Sequence, residues 1–410
     1  MQDPWKTDRW FVSPWNFAPE VVSQLEFPQQ IRVHDITLRD GEQQTGVEFT
    51  RDDKIRIAEK LAEVGVHRIE AGMPVVSKSD EQAIKEIVKR NLGPEIFAFS
   101  RCMVDDVKRA ADCGVKGIVM EIPSSTHIIQ HAYRWPLEKA IELSIESTRY
   151  AHEQGLYVVF FPIDSTRAEL DWFLNLITKV ATDGHMDALA VVDTFGVLSV
   201  HAMRYLVRQL KRRIQKPLET HFHMDFGLGV ANTLLALAAG CEVMHTTVLG
   251  IGERAGNTPM EETALALLTM YGVDLGLKWE SLTELAQLVR ELSGQAVASN
   301  HPVYGDLLFA VESGIIASWY KNCGVENATE LFPYRWELVG QQPAEVVLGK
   351  GSGIDSVKMW LDRTGFQASD EEALELLQLV KSHSLEKKGL LSEDEFRRLA
   401  ESVVTTPVVA

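Results

Sequence analysis

Two histidines stand two residues apart in the run PLETHFH, at His221 and His223. Side chains alternate across a β-strand, so imidazoles at i and i+2 face the same way and, at a strand end, can ligate one ion. Taken alone, the spacing serves equally well for a pair of structurally satisfied histidines. Other residues add to it: Arg39 and Asp40 follow the run IRVHDIT, Glu70 closes HRIE, and Asn257 lies beyond EVMHTTV. A carboxylate, two imidazoles and an amide oxygen form a mixed N/O set suited to Zn, Mn, Mg or Co with positions left open for substrate. A structural zinc site is instead closed by four thiolates or imidazoles. A divalent ion on Asp40, His221, His223 and Asn257 can chelate a 2-oxo acid through its keto and carboxylate oxygens and polarise the carbonyl. Arg39 is then placed to stabilise the developing alkoxide or enolate, with Glu70 holding its guanidinium in a bidentate pair. The alternative for Arg39 and Glu70 is a surface ion pair.

Whether these groups meet depends on the elements that carry them. From residue 31, short apolar or β-branched runs alternate with amphipathic stretches, as when parallel strands are joined by crossover helices. Eight candidate strands begin at Ile31, His67, Glu95, Val115, Leu156, Asp187, Pro217 and Glu242. Eight βα units predict a closed (β/α)8 barrel, whose catalytic groups sit at the C-terminal strand ends; a doubly wound sheet would place GxGxxG after its first strand, where this chain reads TLRDGEQ. In a closed barrel the first, seventh and eighth strands are neighbours, so Asp40, His221, His223 and Asn257 face one another. The expected organisation is an aromatic-rich arm over residues 1–30, the barrel over 31–273, and a mainly helical C-terminal part over 274–410. Ser369 with Glu372, and Ser392 with Glu395, have capping-box spacing and predict two short final helices. The arm, with Trp5, Trp10, Trp15, Phe11 and Phe17, is too apolar to be a free tail and is expected to pack on the barrel or on another subunit.

Composition narrows the class. The chain has 410 residues, 45% hydrophobic and 24% charged, within the globular range. Its 41 basic against 58 acidic residues leave a net charge of -17, which opposes binding to phosphate backbones or anionic membranes. Cys102, Cys113, Cys241 and Cys323 form no CxxC pair, so reduced thiols fit best. With no apolar leader and no long apolar run, a soluble, cytoplasmic protein is expected.

The blocks HDITLRDGEQQTGVEFT, HRIEAGMP, VVDTFG, THFHMDFGLGVANTLLALAAG and GIGERAGNTPMEE resemble the signature blocks of the DRE-TIM metallolyases, most closely the isopropylmalate, citramalate and homocitrate synthase branch. The resemblance runs from about residue 31 to 355. It implies a TIM barrel and a metal-dependent acyltransferase that condenses an acyl-CoA, acetyl-CoA above all, with a 2-oxo acid to give a 2-alkylmalate-type acid, as in amino-acid biosynthesis. It also implies a homodimer and places the family's site on Arg39, Asp40, Glu70, His221, His223 and Asn257. Thr194 corresponds to the threonine that contacts the oxo acid, and His127 to a substrate-side histidine after the fourth strand.

The chain departs from that branch in several places. FFPIDSTR stands where the synthases usually carry FSPEDxTR, so Phe161 and Ile163 replace a serine and a glutamate; a pocket wall built on them favours a less polar substrate side chain. ESGII stands where they carry ESGIH, so Ile316 replaces a histidine implicated in enolisation, and isoleucine accepts no proton. His301 and Tyr304 are the nearby substitutes. VLGKGSG replaces LGKHSG and is not a phosphate loop, although Lys350 remains available to an anionic coenzyme. The missing histidine keeps open a lyase or aldolase that cleaves a 2-hydroxy acid or its thioester at the same site, and a non-catalytic binding homologue is the third reading. The regulatory domain of leucine-controlled relatives is not expected.

Overall fold

The computed structural model describes residues 3–404. Eight parallel strands close in sequence order into a barrel: β1 (Arg32–Asp35), β2 (Arg68–Glu70), β3 (Glu95–Arg101), β4 (Gly117–Pro123), β5 (Tyr157–Ile163), β6 (Ala188–Asp193), β7 (Leu218–Phe222) and β8 (Val243–Thr246). Closure sets Arg32 opposite Val243 and Asp35 opposite Thr246. The main crossover helices are α1 (Arg51–Val64), α2 (Lys78–Arg90), α3 (Val104–Asp112), α4 (Leu137–Glu153), α5 (Leu170–Asp183), α6 (Val200–Arg213), α7 (Gly229–Leu237) and α8 (Met260–Tyr271). Local sequence dictates their ends. Thr50 and Asp53 form a capping box at the start of α1, and Gly65 ends it in the left-handed conformation. Ile57, Ala58, Leu61 and Val64 of the same helix are buried, each large aliphatic contributing about 1.5–3 kcal/mol. This is the TIM barrel that the alternation of runs predicts.

The barrel interior is divided. On β3 to β6 the alternate residues Phe97, Phe99, Val119, Val159, Phe161, Ala188, Ala190 and Val192 form one apolar cluster. On β7, β8, β1 and β2 the buried residues include the polar set Glu219, His221, His245, His34, Arg68 and Glu70. The two halves meet where Phe161 packs edge-on against His221, ring centroids 4.7 Å apart, and Phe97 against His34 at 5.0 Å.

The chain forms two compact units. One is Pro14–Val297, holding the barrel and a further helix, α9 (Leu282–Ser293). The other combines the residues up to Ser13 with those from Ala298 onward. It contains α10 (Gly314–Cys323), α11 (Ile354–Thr364), α12 (Asp370–Lys387) and α13 (Glu393–Val403), with a two-stranded parallel pair β9 (Ala310–Val311) and β10 (Glu345–Val346). Its core centres on Trp336, Trp360 and Phe396. Ser369 and Ser392 cap α12 and α13 through the two expected boxes.

The aromatic arm is shared between the units. Phe11 donates its amide to the Pro333 carbonyl, and Arg335 donates to the carbonyl of Arg9, tying the first stretch into the second unit. Glu26 donates to the Ala238 carbonyl on the barrel side. The four cysteines are unpaired. Among the described residues no helix is long and apolar enough to cross a membrane.

Candidate active site

The loop after β1 is wound tightly enough to fix its side chains. The Ile36 carbonyl accepts from the amides of Arg39, Asp40 and Gly41, while Asp35 accepts from the Thr37 amide and hydroxyl, each at 3.0 Å. Beneath it the buried Lys54 of α1 reaches the Leu38 carbonyl at 3.3 Å and pairs with Glu42 at 2.6 Å and with Asp80. A buried ammonium with two carboxylates and a carbonyl is a fixed strut. Arg39 and Asp40 therefore enter the barrel mouth from a rigid turn, and both are buried.

Across the mouth, His221 lies in β7 and His223 just past its end, where it pairs with Asn257 as an isolated antiparallel bridge. His221 Nε2 is 3.4 Å from Asp40 Oδ2, and the Asn257 amide donates to Asp40 Oδ1 at 2.7 Å. One donor atom each from Asp40, His221 and His223 fall within 4.8 Å of one another. The loop carrying Asn257 owes its path to glycine: Gly252 has φ +152°, and a Cβ there would overlap the Asn257 side-chain amide. Four sequence-selected residues thus converge, with Asn257 approaching Asp40 through its NH2 group.

The electrostatics suit a cation. Burial would raise the Asp40 carboxyl, but Arg39 beside it and the two histidines outweigh that and hold it well below the usual carboxylate range. Burial pushes His221 down to about 3, against the pull of Asp40, and also lowers His223. The site therefore presents one anionic oxygen and two neutral imidazoles. Asn257 Oδ1 and the Nδ1 atoms of His221 and His223 are buried without a hydrogen-bond partner, a costly state that coordination to an ion would relieve at the atoms facing it. The donor set fits a divalent metal ion.

Arg39 is gripped on three sides. Its Nε pairs with Glu70 Oε1, its Nη1 donates to Asp40 Oδ2 at 2.6 Å, and its guanidinium lies 3.9 Å from the Phe99 ring centroid. Burial pushes Glu70 up and Arg39 pulls it back; with an arginine at bonding distance we take the pair as ionic. Nη2 is left buried and without a partner. Arg39, Asp40, His221, His223 and Thr194 line one cavity of about 260 Å³, together with Gln43, Phe99, Glu121, Phe161, Ile163, Val192 and Glu253.

His127 stands apart from that lining. Its Nε2 lies 3.1 Å from Asp164 Oδ2 and 3.4 Å from Ser125 Oγ, and its side chain is half-exposed. Asp164 joins it to the cavity indirectly: its amide donates to Thr194 Oγ1 at 2.7 Å, and its carboxylate accepts from Ser125 at 2.5 Å and from Arg167 at 2.6 Å. Sequence reasoning passed over Asp164, Ser125 and Glu121. FPIDSTR held Asp164 in view, but only the pairing of β4 with β5 shows what it touches. Glu121 sits within an apolar strand run, and its facing is invisible before the barrel closes.

Residues 30–289 match the HMGL-like family. The chain belongs to that family. It is 38% identical over 395 residues to the homocitrate synthase AksA of Methanothermobacter thermautotrophicus, covering 96% of this chain and 98% of that one. It is 38% identical over 352 residues to a 2-isopropylmalate synthase of Methanocaldococcus jannaschii, covering 86% and 67%. The fold is similar to that of an HMG-CoA lyase from Bacillus subtilis, with TM-score 0.60, 19% identity, and coverage of 67% of this chain and 97% of that one. The HMGL-like match takes in every residue singled out at the barrel mouth. His301, Tyr304, Ile316 and Lys350 lie beyond it, in the second unit. There His301 and Tyr304 stack at 4.6 Å and share a 3.3 Å hydrogen bond, and Ile316 lies in α10.

The HMGL-like barrel of this chain holds a second buried set, His34, Glu219 and His245, whose donor atoms also fall within 4.8 Å. Glu219 is already engaged by Arg68 and by His245, each at 2.8 Å.

Proposed function

We propose that this protein is a metal-dependent acyltransferase that condenses acetyl-CoA, or a related acyl-CoA, with a 2-oxo acid. The observation that carries the reading is the meeting of Asp40, His221 and His223 in one cavity with an arginine that keeps a buried, unpartnered nitrogen. The names of two relatives, both synthases and each covering most of this chain, support condensation over cleavage.

A divalent ion held by Asp40, His221 and His223, with Asn257 beside Asp40, would supply Lewis-acid polarisation of the keto carbonyl. The protein's own groups do the rest. Arg39, locked by Glu70, Asp40 and Phe99, offers Nη2 to the oxygen on which charge develops; a preorganised donor of this kind is worth about 3–4 kcal/mol of barrier. Thr194, its hydroxyl oriented by the Asp164 amide, lines the opposite side and positions the oxo acid. The acyl α-carbon loses a proton and forms a bond to the keto carbon, whose oxygen gains the electron pair and a proton. Water then cleaves the thioester, releasing the free thiol and a 2-alkylmalate-type acid.

The test is thiol release by the purified protein with Mn or Mg, acetyl-CoA and a panel of 2-oxo acids. Release that needs both the oxo acid and the metal is expected. Metal-dependent cleavage of tertiary 2-hydroxy acids or their thioesters, with no release in the forward direction, would replace this reading by a lyase.

A further inference from the structure

The divided barrel interior says which 2-oxo acid can enter. The candidate metal ligands and Arg39 occupy the side built by β7, β8, β1 and β2, and the keto and carboxylate oxygens of a bound oxo acid belong there. The third substituent of the keto carbon must then point toward β3 to β6. On that side the cavity is lined by Phe99, Phe161, Ile163 and Val192, with Thr194 just past β6 as its one hydroxyl and Glu121 opposite Phe161 across the β4–β5 pair.

Arg39 is the one Lys or Arg among the described lining residues, and it is spent on the carbonyl side. The neighbouring guanidiniums are committed elsewhere: Arg101 to Asp106 at 2.7 Å, Arg167 to Asp164 at 2.6 Å and Arg254 to Asp225 at 2.8 Å. A second carboxylate on the substrate would meet phenyl rings, aliphatic side chains, the single hydroxyl of Thr194 and the acidic side chains of Glu121 and Glu253, with no cation to pair it. Burying an unpaired anion there, with no lysine or arginine free to meet it, is prohibitive.

We propose that the substrate is a 2-oxo monocarboxylic acid with a short apolar side chain, and that Phe161, Ile163 and Val192 exclude 2-oxo dicarboxylic acids. The proposal rests on the condensation reading for its reaction, but not for its binding preference. It divides the two named relatives: homocitrate carries three carboxylates and demands a dicarboxylic oxo acid, whereas isopropylmalate carries a branched alkyl group.

The full-length protein with Mn is tested on pyruvate, 2-oxobutanoate, 3-methyl-2-oxobutanoate and 2-oxoglutarate, by thiol release with acetyl-CoA and by calorimetric binding of each oxo acid alone. The best monocarboxylate should exceed 2-oxoglutarate by at least about 100-fold in kcat/KM, the scale at which a site rejects a group it cannot pair. Ile163→Lys, which puts an ammonium on the apolar side, should move that ratio toward 2-oxoglutarate by about 10-fold or more; the wild-type ratio stands as the test if that variant does not fold. Should no oxo acid release thiol while an apolar monocarboxylate still binds far more tightly than 2-oxoglutarate, the condensation reading falls and the binding preference stands. Equal or better use or binding of 2-oxoglutarate overturns the proposal, as does failure of every oxo acid to bind.

Discussion

At the scale of single residues, the site works by leaving selected atoms unsatisfied. His223 is buried with Nδ1 unpartnered; its backbone bridges to Asn257 and donates to the Asp193 carbonyl, contacts that an alanine keeps, and its ring packs edge-on against His221 at 5.3 Å. His223→Ala should therefore abolish metal retention and thiol release while circular dichroism still reports a folded barrel; a variant that keeps its metal would remove His223 from the ligand set. His34 makes a different point. Burial first, then the positive fields of His245, Arg68 and Arg39, hold its imidazole well below its ordinary 6.5. The folded protein keeps His34 neutral, whereas the unfolded chain takes up a proton below about pH 6.5, so stability falls as pH drops, by about 1.4 kcal/mol per pH unit from this group. Gln does not titrate, so His34→Gln should gain on wild type by roughly that amount between pH 6 and pH 5 in denaturant unfolding. An unchanged difference would mean His34 is protonated in the folded state.

At the scale of elements, the turn after β1 is only as good as its strut. Lys54→Met leaves Glu42 and Asp80 facing each other without the ammonium. Both retain some contact with water, so the cost is on the order of 2 kcal/mol rather than the full penalty of an isolated buried charge. Metal affinity should weaken along with urea stability, because Arg39 and Asp40 ride on that turn; calorimetric titration with Mn checks this, and an unchanged isotherm would show that the turn holds without Lys54. The strands themselves were legible in the sequence, since runs such as DALAVVD and LYVVFF are short, mostly apolar and carry paired valines. Which residues of a run face inward was not. Glu121, Glu219 and Arg68 sit inside strands by virtue of barrel closure and register, long-range properties that no local window contains. Arg39, Asp40, Glu70, His221, His223 and Asn257 could be chosen because strand ends are readable; Asp164 and Ser125, joined across two loops, could not.

At the scale of the whole molecule, the chain terminus that begins the sequence belongs to the unit that ends it. Lys6 pairs with Glu330 at 2.7 Å, Phe11 and Arg9 bond to the backbone at Pro333 and Arg335, and Trp10 pairs with Tyr334. The barrel unit begins only at Pro14 and has its own core and candidate metal site. A chain starting at Pro14 should thus lose two backbone hydrogen bonds, each worth about 1 kcal/mol, and the cover of Trp10 and Phe11. The exposed Lys6 pair adds little. The loss should fall on the second unit alone, lowering one calorimetric transition by several degrees while Mn binding at Asp40, His221 and His223 keeps its affinity. If Mn affinity drops together with that transition, the arm supports the barrel as well, and the division of the chain into two energetically separate units is wrong.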